Sequence, residues 1–260
     1  EDAMEDMTDE QLDKLEADRY EAAVAALAQL GGGDTPAIMA AANAVTKYDL
    51  WVGGVQVTSE NKDNIPGVYS GKASYDPDTK ILTLDNATIN KTGAFKESYS
   101  TRNSAIYCLQ MYGNYNNPVV EKIELIGSNK VTYTGNWPAA SGTFSMIYAE
   151  CNYFTITGTG SLEVTAGDCT SDLPFYSNAI YCSGRLTIDN TTVRAYSGNS
   201  NAVDRDNSAI SSGYYGGDLI LKNAKVTGGS KRKVTNPPAS SSGFKYSELK
   251  YYRTLTIVPT

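Results

Sequence analysis

An internal repeat constrains this chain more than any other feature. Its unit is an apolar-x-apolar pair, a turn carrying Asn or Gly, and a further apolar residue five or six positions beyond the pair. The pairs are Leu82/Leu84, Ile123/Leu125, Phe154/Ile156, Leu186/Ile188 and Leu219/Leu221, followed by Ile89, Val131, Leu162, Val193 and Val226. Their second members lie 41, 31, 32 and 33 residues apart, and Leu255/Ile257 adds a last pair 36 residues later. A second column, Ala105–Cys108, Met146–Ala149, Ala179–Cys182 and Ala209–Ser212, precedes one of these pairs each time. Each repeat thus offers about three short strands, and none is long enough to bury a face alone. Stacking the repeats solves this, because inward residues of one pile on the next at about 4.8 Å and make a continuous core.

The expected fold is therefore all-β, a right-handed single-stranded parallel β-helix of about six coils over residues 47–260. A β-sandwich lacks such a repeat, and propeller blades carry Gly-His and Trp-Asp signals that this sequence does not have. Residues 1–46 read differently, as an N-terminal helical arm or cap. Thr8 can cap a helix with Asp9 and Glu10 in its first turn; Leu12, Leu15, Leu27 and Leu30 fall near one face, and Gly31-Gly32-Gly33 ends it. Pro36 opens a second Ala-rich stretch. The turn at Tyr75-Asp76-Pro77-Asp78-Thr79 reads as a hairpin closing one end of the stack, since an open sheet edge invites aggregation.

Composition narrows the partners. The 22 Lys and Arg stand against 29 Asp and Glu, a net charge of −7, and the Lys231-Arg232-Lys233 cluster is not interleaved with aromatics. Nucleic acid is excluded as a partner on that basis. No run of 18 apolar residues exists to span a bilayer. No basic segment followed by an apolar one opens the chain, so an exported protein would here be in mature or trimmed form. Nineteen tyrosines and 23 glycines are the usage of a β-rich extracellular protein. The cysteines Cys108, Cys151, Cys169 and Cys182 lack zinc-site spacing and read as buried small residues, with a Cys151–Cys169 bridge as the alternative.

The residues Tyr48-Asp49-Leu50-Trp51-Val52-Gly53-Gly54-Val55-Gln56-Val57-Thr58, Tyr75-Asp76-Pro77 and Leu82 to Ile89 resemble an opening segment of uncharacterised surface proteins of gut bacteria. The later units, such as Ala179-Ile180 through Leu186-Thr187-Ile188 to Val193, are similar to β-helix proteins described as carbohydrate-binding domains. The resemblance covers about residues 47–230. It implies an exported bacterial protein, secreted or at the cell surface, with a glycan ligand, and it brings no assigned binding residues with it.

Chemistry can be tested directly. Histidine is absent, which removes Ser-His-Asp, Cys-His and His-zinc catalysis. A polysaccharide lyase or hydrolase using two carboxylates, or Arg with calcium, survives that exclusion but lacks a convincing constellation. Asp204 and Asp206 are the nearest candidates for calcium, against the plainer reading of solvated turn residues; no other cofactor is expected. Asn86, Asn190 and Asn223 share one place in the repeat and suggest an interrupted amide ladder at a corner.

Tyrosine gives the sharpest hint. With Ile106, Ile147 and Ile180 inward, alternation sends Tyr107, Tyr148 and Tyr181 outward from three consecutive units as an exposed ladder on which sugar rings can stack. The competing reading is packing under a loop or under the helical arm. Trp137, Tyr214 and Tyr215 lie in insertions between strands, where binding residues concentrate. The reading is a noncatalytic binding module for polysaccharide or host glycan. A carbohydrate-active enzyme is the rival, and a structural spacer or protein adhesin the third reading.

Overall fold

The computed structural model describes residues 45–96, 101–109, 117–135, 142–168, 176–198, 208–212, 218–231, 243–245 and 252–260. The helical arm expected over residues 1–46 falls, as far as residue 44, outside them. The chain divides between Val45 and Thr46, and a strand begins at Lys47. Every regular element among the described residues is a β-strand, and no helix among them is long and apolar enough to cross a membrane.

Alternation places the strands. β1 (Lys47–Val52), β2 (Val55–Thr58), β3 (Ser70–Asp76) and β4 (Ile81–Ile89) open the fold, followed by β5 (Gly93–Lys96), β6 (Thr101–Ser104) and β7 (Ile106–Cys108). The strands β8 (Lys122–Ile126), β11 (Tyr153–Gly158) and β14 (Arg185–Asp189) each bury both members of an apolar pair and turn the intervening residues outward. One turn later β12 (Ser161–Thr165) and β15 (Thr192–Tyr196) do the same, while β9 (Ser128–Thr132) buries Asn129 and Val131. The second column becomes β7, β10 (Gly142–Ala149), β13 (Tyr176–Cys182) and β16 (Ile210–Ser212). These like strands pair in parallel and in register, with Ile106, Ile147, Ile180 and Ile210 forming one buried row.

The pairing as a whole is mixed, which corrects the expectation of a single-stranded parallel β-helix of six coils. Among the described residues the parallel ladders lie between Ile81 and Lys222. At the front, β1 runs antiparallel to both β2 and β7, β3 to β4, and β5 to β6. At the back are β17 (Asp218–Lys222), β18 (Ala224–Lys231), β19 (Gly243–Lys245) and β20 (Tyr252–Pro259). There β20 runs antiparallel to β15 and β18, and β19 antiparallel to β17. The pair Leu255/Ile257 that the period assigns to a further coil instead reverses direction, with Ile257 opposite both Val193 and Val226. Apolar spacing is the same for a strand running either way, so the sequence period cannot report direction. The larger sheet has the order β18-β20-β15-β12-β9-β4-β8-β11-β14-β17-β19, with β3 attached at β4. It bends at β4, whose first half pairs with β8 and second half with β9, giving a nearly closed, barrel-like sheet. The expected hairpin is present: Asp76 pairs with Ile81 across the turn between β3 and β4.

The corner after each apolar pair requires a left-handed backbone. Asn86, Asn190 and Asn223 adopt φ of 48°, 48° and 47°, and Gly127 takes 64°, a region open to Gly and tolerated by Asn. The amides do not stack into a ladder. Asn86 Oδ1 accepts the Ser128 N–H at 3.1 Å, in the space that a Cβ on Gly127 would invade. Asn223 Nδ2 donates to Asp189 Oδ1 at 2.9 Å. The buried Asn129 binds the corner together, accepting from Ala87 N–H at 2.8 Å and donating to Ile126 O and Ser161 O at 3.1 and 3.2 Å.

Candidate functional site

The tyrosine column exists, but it is packed. Trp51, Tyr107, Tyr148 and Tyr181 occupy one register row across β1, β7, β10 and β13. Tyr107 and Tyr148 stack with centroids 5.3 Å apart, Tyr148 and Tyr181 at 4.8 Å. The hairpin of β5 and β6 adds Phe95, nearly coplanar with Tyr107 at 4.2 Å, and Arg102, whose guanidinium lies 4.5 Å from the Tyr148 centroid. Tyr107 and Tyr148 are consequently buried, at 2% and 1% exposure, and Tyr181 is half-buried. The expectation of an exposed ladder is corrected on this point: the rings leave the main core, as alternation requires, and are then covered by side chains from a hairpin. Trp137, Tyr214, Tyr215, Asp204 and Asp206 lie outside the described residues. Among the described residues no group of three or more carboxylate or thiol side chains is placed to hold a metal ion.

A concave site lies elsewhere, where the β3–β4 turn meets the start of β1. This open cleft, about 280 Å³, is lined by Lys47, Tyr48, Asp49, Tyr75, Pro77, Lys80, Asn117, Pro118 and Val119. Tyr48 sits edge-on to Tyr75 with centroids 5.2 Å apart. The Tyr75 hydroxyl donates to Val119 O at 2.6 Å, and burial pushes its ionisation well above the usual phenol range, so it stays a donor. Lys80 holds φ at 55°, an unusual backbone for a residue with a side chain. Its ammonium donates to Asn117 Oδ1 and lies 3.3 Å from Glu121 Oε1. The rim is stiffened at Asp76, whose carboxylate accepts from Thr79 Oγ1 at 2.7 Å and Asp78 N–H at 3.0 Å. Those hydrogen bonds hold the Asp76 carboxyl below its ordinary range.

The cleft combines an aromatic wall with two ammonium groups, an amide and a carboxylate. That mixture suits a polar ligand with one apolar face. Among the described lining residues Asp49 is the one carboxylate, with the Asp76 carboxylate at the rim and Glu121 3.3 Å from the Lys80 ammonium. Sequence reasoning passed over Tyr48, Tyr75 and Lys80, because they come together only when the β3–β4 hairpin folds against β1. Tyr153 was also passed over, although it leads β11 and alternation from the inward Phe154 turns it outward; it is 64% exposed.

The cysteines are core residues. Cys108, Cys151 and Cys182 are free and buried. Burial pushes the Cys108 thiol up, and a hydrogen bond with Cys182 together with burial does the same to Cys151. Cys169 lies outside the described residues.

No family model matches the chain, and no curated protein and no solved structure matches it either.

Proposed function

We propose that the chain is a noncatalytic carbohydrate-binding module of an exported bacterial protein, with the cleft beside Tyr48 as the ligand seat. The cleft itself carries this reading: a half-buried Tyr48 ring held edge-on by Tyr75, with Lys47, Asp49, Lys80 and Asn117 around it. A sugar presents an apolar C–H face and a ring of hydroxyls, which calls for an aromatic surface and several fixed polar groups. β1 of the smaller sheet and the β3–β4 hairpin of the larger one hold most of those groups before any ligand arrives, and such preorganisation lowers the entropy lost on binding.

The test is a glycan array and soluble-polysaccharide screen with product analysis on each hit. Binding with no shortened product is the expected result. Turnover would move the chain to the carbohydrate-active enzymes. The burial of Tyr107 and Tyr148 favours a second reading, a structural spacer whose stacked rings serve rigidity alone. Absence of binding to every glycan would make that reading the better one.

A further inference from the structure

We infer that the ligand seat continues beyond the cleft as a strip across β8, β11 and β14, and that its ligand is an extended polysaccharide chain gripped along its length. This rests on the carbohydrate reading above and adds a second contact surface to it. The relevant row follows the starts of parallel strands. Lys80, on the cleft, pairs with Glu121 at 3.3 Å. Glu121 in turn accepts the Thr155 N–H at 3.0 Å through its carbonyl, which sets β11 beside it. Tyr153 leads β11 and is in register with Arg185 of β14.

Tyr153 is the most exposed large hydrophobic side chain on this face, where β8 also leaves Ile126 exposed. Its outward neighbours Thr155, Thr157 and Thr187 are small and polar, yet its ring is 64% exposed. The ring is also held: the Arg185 guanidinium lies 5.7 Å from its centroid, within the range of a weak cation–π contact. A large ring left open but fixed in place costs little ordering entropy when a ligand stacks on it. Thr155 and Thr187 stand opposite each other on the adjoining row and supply hydroxyls beside it. From β4 to β14 is three strand spacings, about 14 Å. A single sugar ring cannot reach from Lys80 to Arg185 over that span, whereas an oligosaccharide lying across the strands can.

The experiment is calorimetric titration of the full chain with oligosaccharides from disaccharide to octasaccharide, cut from xyloglucan, mannan and polygalacturonate. The native chain, Tyr153→Ala, Arg185→Gln and Tyr48→Ala are compared, with far-UV circular dichroism to check folding; Tyr153 is exposed enough for its removal to leave the fold intact. Affinity is expected to climb with chain length in the native protein. Tyr153→Ala should lose about tenfold against the octasaccharide and nothing against the disaccharide, while Tyr48→Ala should weaken both. A native octasaccharide affinity no higher than that of the disaccharide, or one unchanged by Tyr153→Ala, overturns the strip and leaves the cleft reading standing. No binding of any oligosaccharide, in a native chain that folds, overturns both.

Discussion

Tyr148 and Tyr181 lie on adjacent parallel strands with their rings 4.8 Å apart and only 10° from coplanar. Tyr107 and Phe95 continue the stack, and Arg102 caps the Tyr148 ring. Several units and a separate hairpin are thereby joined outside the main core. Tyr148→Ala is expected to destabilise the chain by about 3–5 kcal/mol, the range for emptying a buried aromatic site. Urea unfolding followed by tyrosine fluorescence checks this, and a loss within experimental error of zero would mean the stack is incidental.

How much of this was legible in the sequence depended on periodicity. The inward Leu82, Ile123, Ile156, Ile188 and Leu219 were readable because strand alternation sorts residues by face, and all are fully buried. Strand direction was not readable, since Leu255 and Ile257 fit the same spacing whether they extend the parallel ladder or reverse along it. Burial of Tyr107 was hidden for a related reason. Its cover comes from Phe95 of a short hairpin that carries no repeat signal. The cleft was invisible for want of any local motif: Tyr48, Tyr75 and Asn117 are far apart in sequence and meet only through the β3–β4 turn.

The corners give a clean backbone test. Asn190 is exposed and left-handed at φ 48°. Asn190→Ala should cost about 1–2 kcal/mol, because a Cβ without a compensating polar side chain disfavours that region. Asn190→Gly should be close to neutral. Equal effects of the two substitutions in thermal unfolding would remove backbone conformation as the reason for Asn at this corner.

The thiols predict an alkaline effect. Cys108 and Cys151 are held above the ordinary thiol range in the folded chain, by burial and by the bond to Cys182. Above about pH 8.5 the unfolded chain releases these protons while the folded chain keeps them. Fewer protons are then bound in the unfolded state, so stability is complete below that pH and declines as pH rises through it. The native chain should lose stability between pH 8 and 10 more steeply than a Cys108→Ala variant, as read from urea midpoints. The same burial should leave both thiols unreactive to a thiol reagent until urea is added.

The central claim is tested most directly by comparing polysaccharide affinity of the native chain with Tyr48→Ala and Lys80→Gly. Gly relieves the left-handed strain at position 80 while deleting the ammonium, so that variant should fold at least as well as the native chain. A noncatalytic seat in the cleft predicts binding without polymer shortening, weakened about tenfold by each change; Lys80→Gly keeps or raises the unfolding midpoint, whereas Tyr48→Ala, which removes a ring packed on Tyr75 and the core, lowers it and is assayed below that midpoint. Undiminished affinity in both variants, or shortened polymer after incubation with the native chain, would contradict it.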